Sequence, residues 1–206
     1  NGGEMKERLN GKQGIAVDID GVLAGLFGSL FKYYNSRFGT KFTEDDMYTL
    51  ELWKVWGLSE GDEKQIIKDF CKSNFFRDIP VIIGSQEAIH TLSKKYNLAA
   101  VTARPNSTYN ETCLWLNEHY PWAFSDIHFV SHHFPENGNK KNKSDVCLEH
   151  TYGIIIDDYH GHINECAEKG IQTILLNQPW NKREKLHSGA LRVRNWEDIL
   201  QYLNGK

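Results

Sequence analysis

Asp18 and Asp20 stand two residues apart at the end of a short apolar run, and Gly21 follows at once. Side chains along a strand alternate faces, so both carboxylates point the same way. They can converge at the carboxyl end of a strand, where open α/β sheets place their ligands. Two like charges held that close need a reason to coexist, and a divalent cation supplies one, because hard oxygen donors suit Mg²⁺. Three more features follow in order. Thr102 closes the apolar run 98–101, Lys143 stands before a short helical pattern, and Asp157-Asp158 close the run 154–156. The set offers carboxylates for a metal, a hydroxyl and an ammonium for an anion, and a carboxylate free to attack.

Such groups must be held by elements that end where they stand. Runs at 15–17, 98–101, 127–130, 154–156 and 173–176 are too short for helices and read as buried strands. Helical patterns lie between them. Ser85 is placed to cap a helix bearing Ala88, Ile89 and Leu92, and residues after Pro105 set Tyr109, Cys113, Leu116 and Tyr120 on one face. Ser144 is placed to cap a helix with Val146 and Cys147; Ile163, Cys166 and Ala167 precede the stop residue Gly170. Asn195 caps the last helix, with Ile199, Leu200 and Leu203 inward. Strands alternating with helices imply a parallel sheet with right-handed crossovers.

The stretch 25–83 breaks that rhythm. Leu30, Phe31, Tyr34 and Phe38 have helical spacing up to Gly39; Thr43 and Ser59 are placed to cap two more helices, the latter carrying Ile66, Ile67 and Phe70. This predicts an all-helical insertion after the first strand. It is rich in aromatics, among them Phe27, Trp53, Trp56, Phe75 and Phe76.

The 206 residues suit one domain with an insertion, with 40 % hydrophobic and 25 % charged residues. A net charge of −3 gives no broad electrostatic reason to bind a nucleic-acid polymer. No apolar run approaches the roughly 18 residues of a membrane span, and no signal-peptide pattern opens the sequence. The four cysteines show no paired metal spacing and read as small buried hydrophobes in a reducing compartment, so the expected location is cytoplasmic. Residues 1–13 read as a flexible tail, and 136–143 as a polar loop.

The order Asp18-Ile19-Asp20-Gly21-Val22, Thr102, Lys143, Asp157-Asp158 resembles the four motifs of the haloacid dehalogenase-like phosphatase superfamily. The resemblance spans nearly the whole chain. Asp18 to Ala24, Val101-Thr102-Ala103-Arg104-Pro105, the segment 143–158 and Asn177-Gln178-Pro179-Trp180-Asn181 resemble its 5′(3′)-deoxyribonucleotidase branch. The implied fold is α/β: a Rossmann-like three-layer parallel sheet from residues 14–24 and 84–206, with a small helical cap, 25–83, inserted after the first strand.

The resemblance also implies roles. Asp18 would attack phosphorus and form an aspartyl-phosphate; Asp20 would protonate the leaving oxygen and then deprotonate the hydrolytic water. Mg²⁺ would be held by the Asp18 carboxylate, the Asp20 carbonyl and Asp157, with Asp158 a ligand or support. Thr102 and the Ala103 amide would bind phosphate oxygens, and Lys143 would neutralise charge. Lys143 is favoured over Lys140 and Lys141 because a cap residue follows it and its spacing to Asp157 suits the family. Asp158 could instead cap the next helix. Arg104 could clamp phosphate or pair with a surface acid. His132 and His133 read as solvated loop histidines. Leu26, Phe27, Trp53, Trp56, Phe75 and Phe76 are candidates to meet a substrate, since aromatic faces stack on nucleobases. The expected activity is Mg²⁺-dependent phosphomonoester hydrolysis of a small-molecule phosphate ester, a nucleoside monophosphate foremost, with no polymer or membrane partner. Assembly as a homodimer is left open. The alternatives are a phosphatase of another small metabolite and a non-catalytic module that binds Mg²⁺ and phosphorylated ligands.

Overall fold

The computed structural model describes residues 11–130 and 141–205. Expectations for the leading residues, His132, His133, Lys140 and most of the polar loop lie outside these. Six strands form one parallel sheet: β1 (Gly14–Val17), β2 (Asn97–Thr102), β3 (Asp126–Phe129), β4 (Tyr152–Asp157), β5 (Gln172–Leu176) and β6 (Leu191–Val193). Their order is β3-β2-β1-β4-β5-β6, so the chain turns back between β1 and β4. At that reversal the carboxyl ends of two neighbouring strands open a crevice. The register places Val17 beside Ile156 and Ala100, and the Asp18 amide donates to the Ile156 carbonyl at 2.9 Å.

Alternation along the strands feeds two cores. Ile15, Val17, Leu98, Ala100, Ile154, Ile156 and Ile174 face one side. There they meet α5 (Ser85–Lys95), α6 (Tyr109–His119) and α9 (Trp196–Asn204). Ala16, Ala99, Val101, Ile155 and Leu175 face the other side, under α7 (Lys143–Glu149) and α8 (His160–Glu168). The result is three layers, helices on both faces of a sheet whose strands read as continuous apolar runs for that reason.

Between β1 and α5 lie α1 (Leu26–Phe38), a single 3₁₀ turn (Glu44–Asp46), α2 (Leu52–Trp56), α3 (Glu60–Phe70) and α4 (Asn74–Arg77). Gly39 ends α1 in the left-handed region, and the Ser59 hydroxyl accepts from the Asp62 amide at the start of α3. Aromatics hold these short helices together: Tyr34 stacks on Trp56 at 4.3 Å between centroids, and Phe31 meets Trp56 edge-on at 6.2 Å. Such pairs contribute about 0.5–1.5 kcal/mol each beyond the area they bury. The chain leaves and returns through one neck. The Gly25 amide donates to the Pro80 carbonyl and the Ile82 amide to the Leu23 carbonyl, both at 2.8 Å, and Ala24 bridges Val81 antiparallel.

Several local expectations change. Gly84, at φ +82°, caps α5, while the Ser85 hydroxyl is drawn to the Ile82 carbonyl and Tyr120. Asn142 caps α7 in a reciprocal box with Asp145, and Ser144 turns instead to Glu165. Thr43 starts one 3₁₀ turn rather than a helix. Tyr109 is exposed, because α6 begins there and presents Thr112, Trp115 and Leu116 inward. Cys147 and Cys166 are buried, but Cys71 and Cys113 only half so. β6 has no counterpart among the predicted strands; it is three residues long at the sheet edge. Among the described residues no helix is long and apolar enough to cross a membrane.

Candidate active site

The parallel ladder carries Asp18 and Asp157 to adjacent strand ends, and the N-terminus of α7 brings Lys143 between them. Its ammonium lies 2.7 Å from Asp18 Oδ1 and 2.8 Å from Asp157 Oδ2. All three side chains are buried. Asp158 completes a cluster in which one oxygen from each of Asp18, Asp157 and Asp158 lies within 4.8 Å of the others. Three acidic side chains thus share one ammonium, and burial and their neighbours shift their titration in different directions. Burial pushes Asp18 up to about 6 against the pull of Lys143, and Asp157 and Asp20 add to the rise. Burial also raises Asp158 well above the usual carboxylate range, helped by Asp18 and Asp157. For Asp157 burial is outweighed by Lys143 and His162, so its carboxyl is held low; Lys143 is held high by the two aspartates despite its burial.

His162 carries a second ring nitrogen contact to Asp157 Oδ2, at 3.1 Å, while the Tyr159 amide donates to Oδ1. Neither His162 nor Trp180 stood among the expected site residues. His162 lies one helical turn past the acidic pair, a signal too common to single it out. Asp158 does not cap α8, whose cap position is Tyr159; its Oδ2 accepts from the Trp180 indole at 2.8 Å.

Asp20 is not one of the three clustered carboxylates. Its carboxylate receives Arg104 Nη2 at 2.6 Å and Nε at 2.9 Å, and Arg104 Nη1 donates to Thr112 at 3.1 Å. The guanidinium lies over the Phe76 ring at 4.9 Å and near Trp115 at 5.9 Å. Of the partners open to Arg104, the structure places it on an acid, and that acid is Asp20 rather than one on the surface. Thr102 is buried at the end of β2, where its hydroxyl accepts from the Arg104 amide at 3.1 Å.

A cavity of about 530 Å³ opens from Asp20, Ala103 and Arg104 into the helices that follow β1. Leu26, Phe27, Trp53, Phe70 and Phe76 wall it, with Glu60, Glu63 and Lys64 among its polar groups. Glu63 also accepts from the Trp53 amide at 3.0 Å, tying α2 to α3. Trp56 and Phe75 are not among the lining residues. Trp56 is buried on Tyr34, and Phe75 packs against Tyr33. Phe70, absent from the expected set, takes a place in the wall; its helical spacing marked it as core, and it serves as both.

The family described as "5' nucleotidase, deoxy (Pyrimidine), cytosolic type C protein" matches residues 12–205. The chain is 30 % identical over 192 residues to the 5'(3')-deoxyribonucleotidase of Bacillus subtilis, covering 91 % of this chain and 96 % of that one. The 5'(3')-deoxyribonucleotidase of Bacillus phage SPbeta matches to the same extent. Among solved structures, a haloacid dehalogenase-like family hydrolase from Streptococcus pneumoniae superposes with a TM-score of 0.66. It does so at 18 % identity, over 93 % of this chain and 98 % of its own.

Proposed function

The chain belongs to the cytosolic type C 5′-nucleotidase family, phosphoric monoester hydrolases of the haloacid dehalogenase-like superfamily, and from that premise we propose that it is a Mg²⁺-dependent nucleoside monophosphatase working through an aspartyl-phosphate. The observation that carries the reading is the buried cluster of Asp18, Asp157 and Asp158 around the single ammonium of Lys143.

The cluster fits Mg²⁺. All its donors are hard oxygens, and burial with mutual repulsion leaves Asp18 and Asp158 short of positive charge. Asp18, Asp157, Asp158 and the Asp20 carbonyl would hold the ion. A bound Mg²⁺ offsets the charge of the phosphate dianion that otherwise repels a nucleophile. Asp18 then attacks phosphorus through one carboxylate oxygen, the phosphorus–oxygen bond to the nucleoside breaks, and the leaving alkoxide takes a proton from Asp20. Asp20 next removes a proton from water, which attacks the aspartyl-phosphate and frees Asp18 and inorganic phosphate. Thr102 and the Ala103 amide bind phosphate oxygens, and Lys143 balances the charge gathered on Asp18. Arg104 orients the Asp20 carboxylate; the two short hydrogen bonds and its Thr112 contact support this over a clamp on phosphate.

The helices between β1 and α5 serve as the cap that receives the rest of the substrate. The apolar, aromatic wall of Leu26, Phe27, Trp53, Phe70 and Phe76 suits a flat nucleobase better than a polyhydroxylated sugar. Trp56 and Phe75 hold the cap together instead. A panel of phosphate esters assayed with Mg²⁺ tests the reading. Nucleoside monophosphates should exceed sugar phosphates in kcat/KM by roughly tenfold or more, as a ring-shaped apolar site discriminates by 1–3 kcal/mol. Chelation should abolish turnover and Mg²⁺ restore it. Equal rates on both ester classes would overturn the nucleotide assignment, and turnover that survives chelation would overturn the metal.

A further inference from the structure

The turn after β5, Asn177-Gln178-Pro179-Trp180-Asn181, has no part in the steps above, yet three of its side chains reach the reacting end of the sheet. Trp180 is buried, and its indole N–H donates to Asp158 Oδ2 at 2.8 Å. The Asn181 amide donates to the Asp158 carbonyl at 2.7 Å and to the Leu176 carbonyl at 2.9 Å. Gln178 donates to the Gly21 carbonyl at 2.7 Å, one residue beyond Asp20. The turn is itself anchored: Arg192 donates to the Asn181 side-chain oxygen at 2.9 Å and to its carbonyl at 3.1 Å.

Gly21 closes the other side. It sits at φ +79°, and a Cβ there would come within 2.1 Å of Asp158 Oδ2 and 3.1 Å of the Trp180 ring. The Asp158 carboxylate therefore lies in a slot between the Gly21 backbone and the indole. Among the described residues Asp158 makes no ion pair of its own, so this slot is what keeps it beside Asp18 and Asp157.

We infer that Trp180 is a positioning residue for the metal centre: with Gly21 it clamps Asp158 beside Asp18 and Asp157, so that the donor set stands assembled before the cation arrives. This rests on the Mg²⁺-dependent reading above. Groups of this kind, one hydrogen bond behind a ligand, typically carry 10–100-fold in metal affinity.

The test is Trp180→Phe, which keeps an aromatic ring and removes the N–H, with Mn²⁺ as the probe. Mn²⁺ affinity of the substrate-free protein is read by electron paramagnetic resonance, alongside the Mg²⁺ concentration giving half-maximal activity. Both should worsen by about 10–100-fold. The kcat at saturating Mg²⁺ and the nucleotide KM should change far less, a split that general loosening of the fold would not produce. Trp180→His restores a ring N–H donor and should recover part of the affinity. Gly21→Ala pushes the same carboxylate from the opposite side and should also weaken Mn²⁺ binding, so it decides the matter if Trp180→Phe fails to fold. Unchanged Mn²⁺ affinity in a folded Trp180→Phe, or in Gly21→Ala, overturns the inference. Wild-type protein that binds no Mn²⁺ overturns the metal reading instead, and binding without nucleotide turnover overturns only the choice of substrate.

Discussion

At one end of the candidate site, Lys143 at the start of α7 joins Asp18 and Asp157 at neighbouring strand tips by ion pairs of 2.7 and 2.8 Å. At the other end, Leu26, Phe27, Trp53 and Phe70 form a wall from short helices that hold one another by ring packing. The strand tips sit on a ladder whose register permits no drift, because a slip of one residue would send each side chain to the opposite face. Charge then dictates residue type, since each buried carboxylate needs a partner. The wall obeys a looser rule: hydrophobic residues of about the right volume fill it. The charged strand tips are therefore over-determined in this molecule, and the shape of the cavity wall is not.

The harshest way to break that contrast is Asp18→Asn, which keeps volume and removes the charge proposed to attack. It should cut kcat by roughly 10³-fold or more with the fold intact, by analogy with loss of other nucleophiles. Steady-state kinetics and circular dichroism check it, and retained turnover would show that the strand tip is not where reaction occurs. Next comes Lys143→Met, which strands Asp18 and Asp157 without their buried cation. Breaking such a pair costs about 3–5 kcal/mol, measured by urea unfolding. Part of that loss should return when Mg²⁺ is added, because a ligand bound only by the folded state stabilises it. Phe27→Leu probes the wall. Its KM for a nucleotide should rise by about 10-fold while kcat moves less, in line with 1–3 kcal/mol for a changed apolar contact. A kcat loss as deep as that of Asp18→Asn would erase the distinction between the two ends. Smallest is Ser59→Ala, which removes the cap of α3 and should cost about 1 kcal/mol in thermal unfolding with kcat unchanged.

The same contrast explains what could be read before the structure. Five strands and the order Asp18, Thr102, Lys143, Asp157 were legible, because a doubly covered strand must be apolar throughout and must end where its charged residue begins. The start of α7 was legible only in part: the sequence places the cap on Ser144, whereas Asn142 and Asp145 form the box. Arg104 could not be settled, since its partner Asp20 lies 84 residues away. Trp180 was visible as part of a motif, but its bond to Asp158 spans 22 residues and leaves no local periodicity. Among the aromatics after β1, only tertiary packing sets Trp56 on Tyr34 away from the cavity and gives the core residue Phe70 a place in its wall.

The neck where Gly25 meets Pro80 and Leu23 meets Ile82 has a consequence for how such a protein can change over time. Because both backbones pass through one point, helices between them can differ in length without moving a strand, provided that the contacts back to the sheet layer, Phe27 on Trp180 and Phe76 on Arg104, are kept. Loop closure charges little for this, about 0.6 kcal/mol for each doubling of length. The neck is in effect a splice site: a relative's helices transplanted between residues 25 and 80 would test whether this segment alone sets substrate choice.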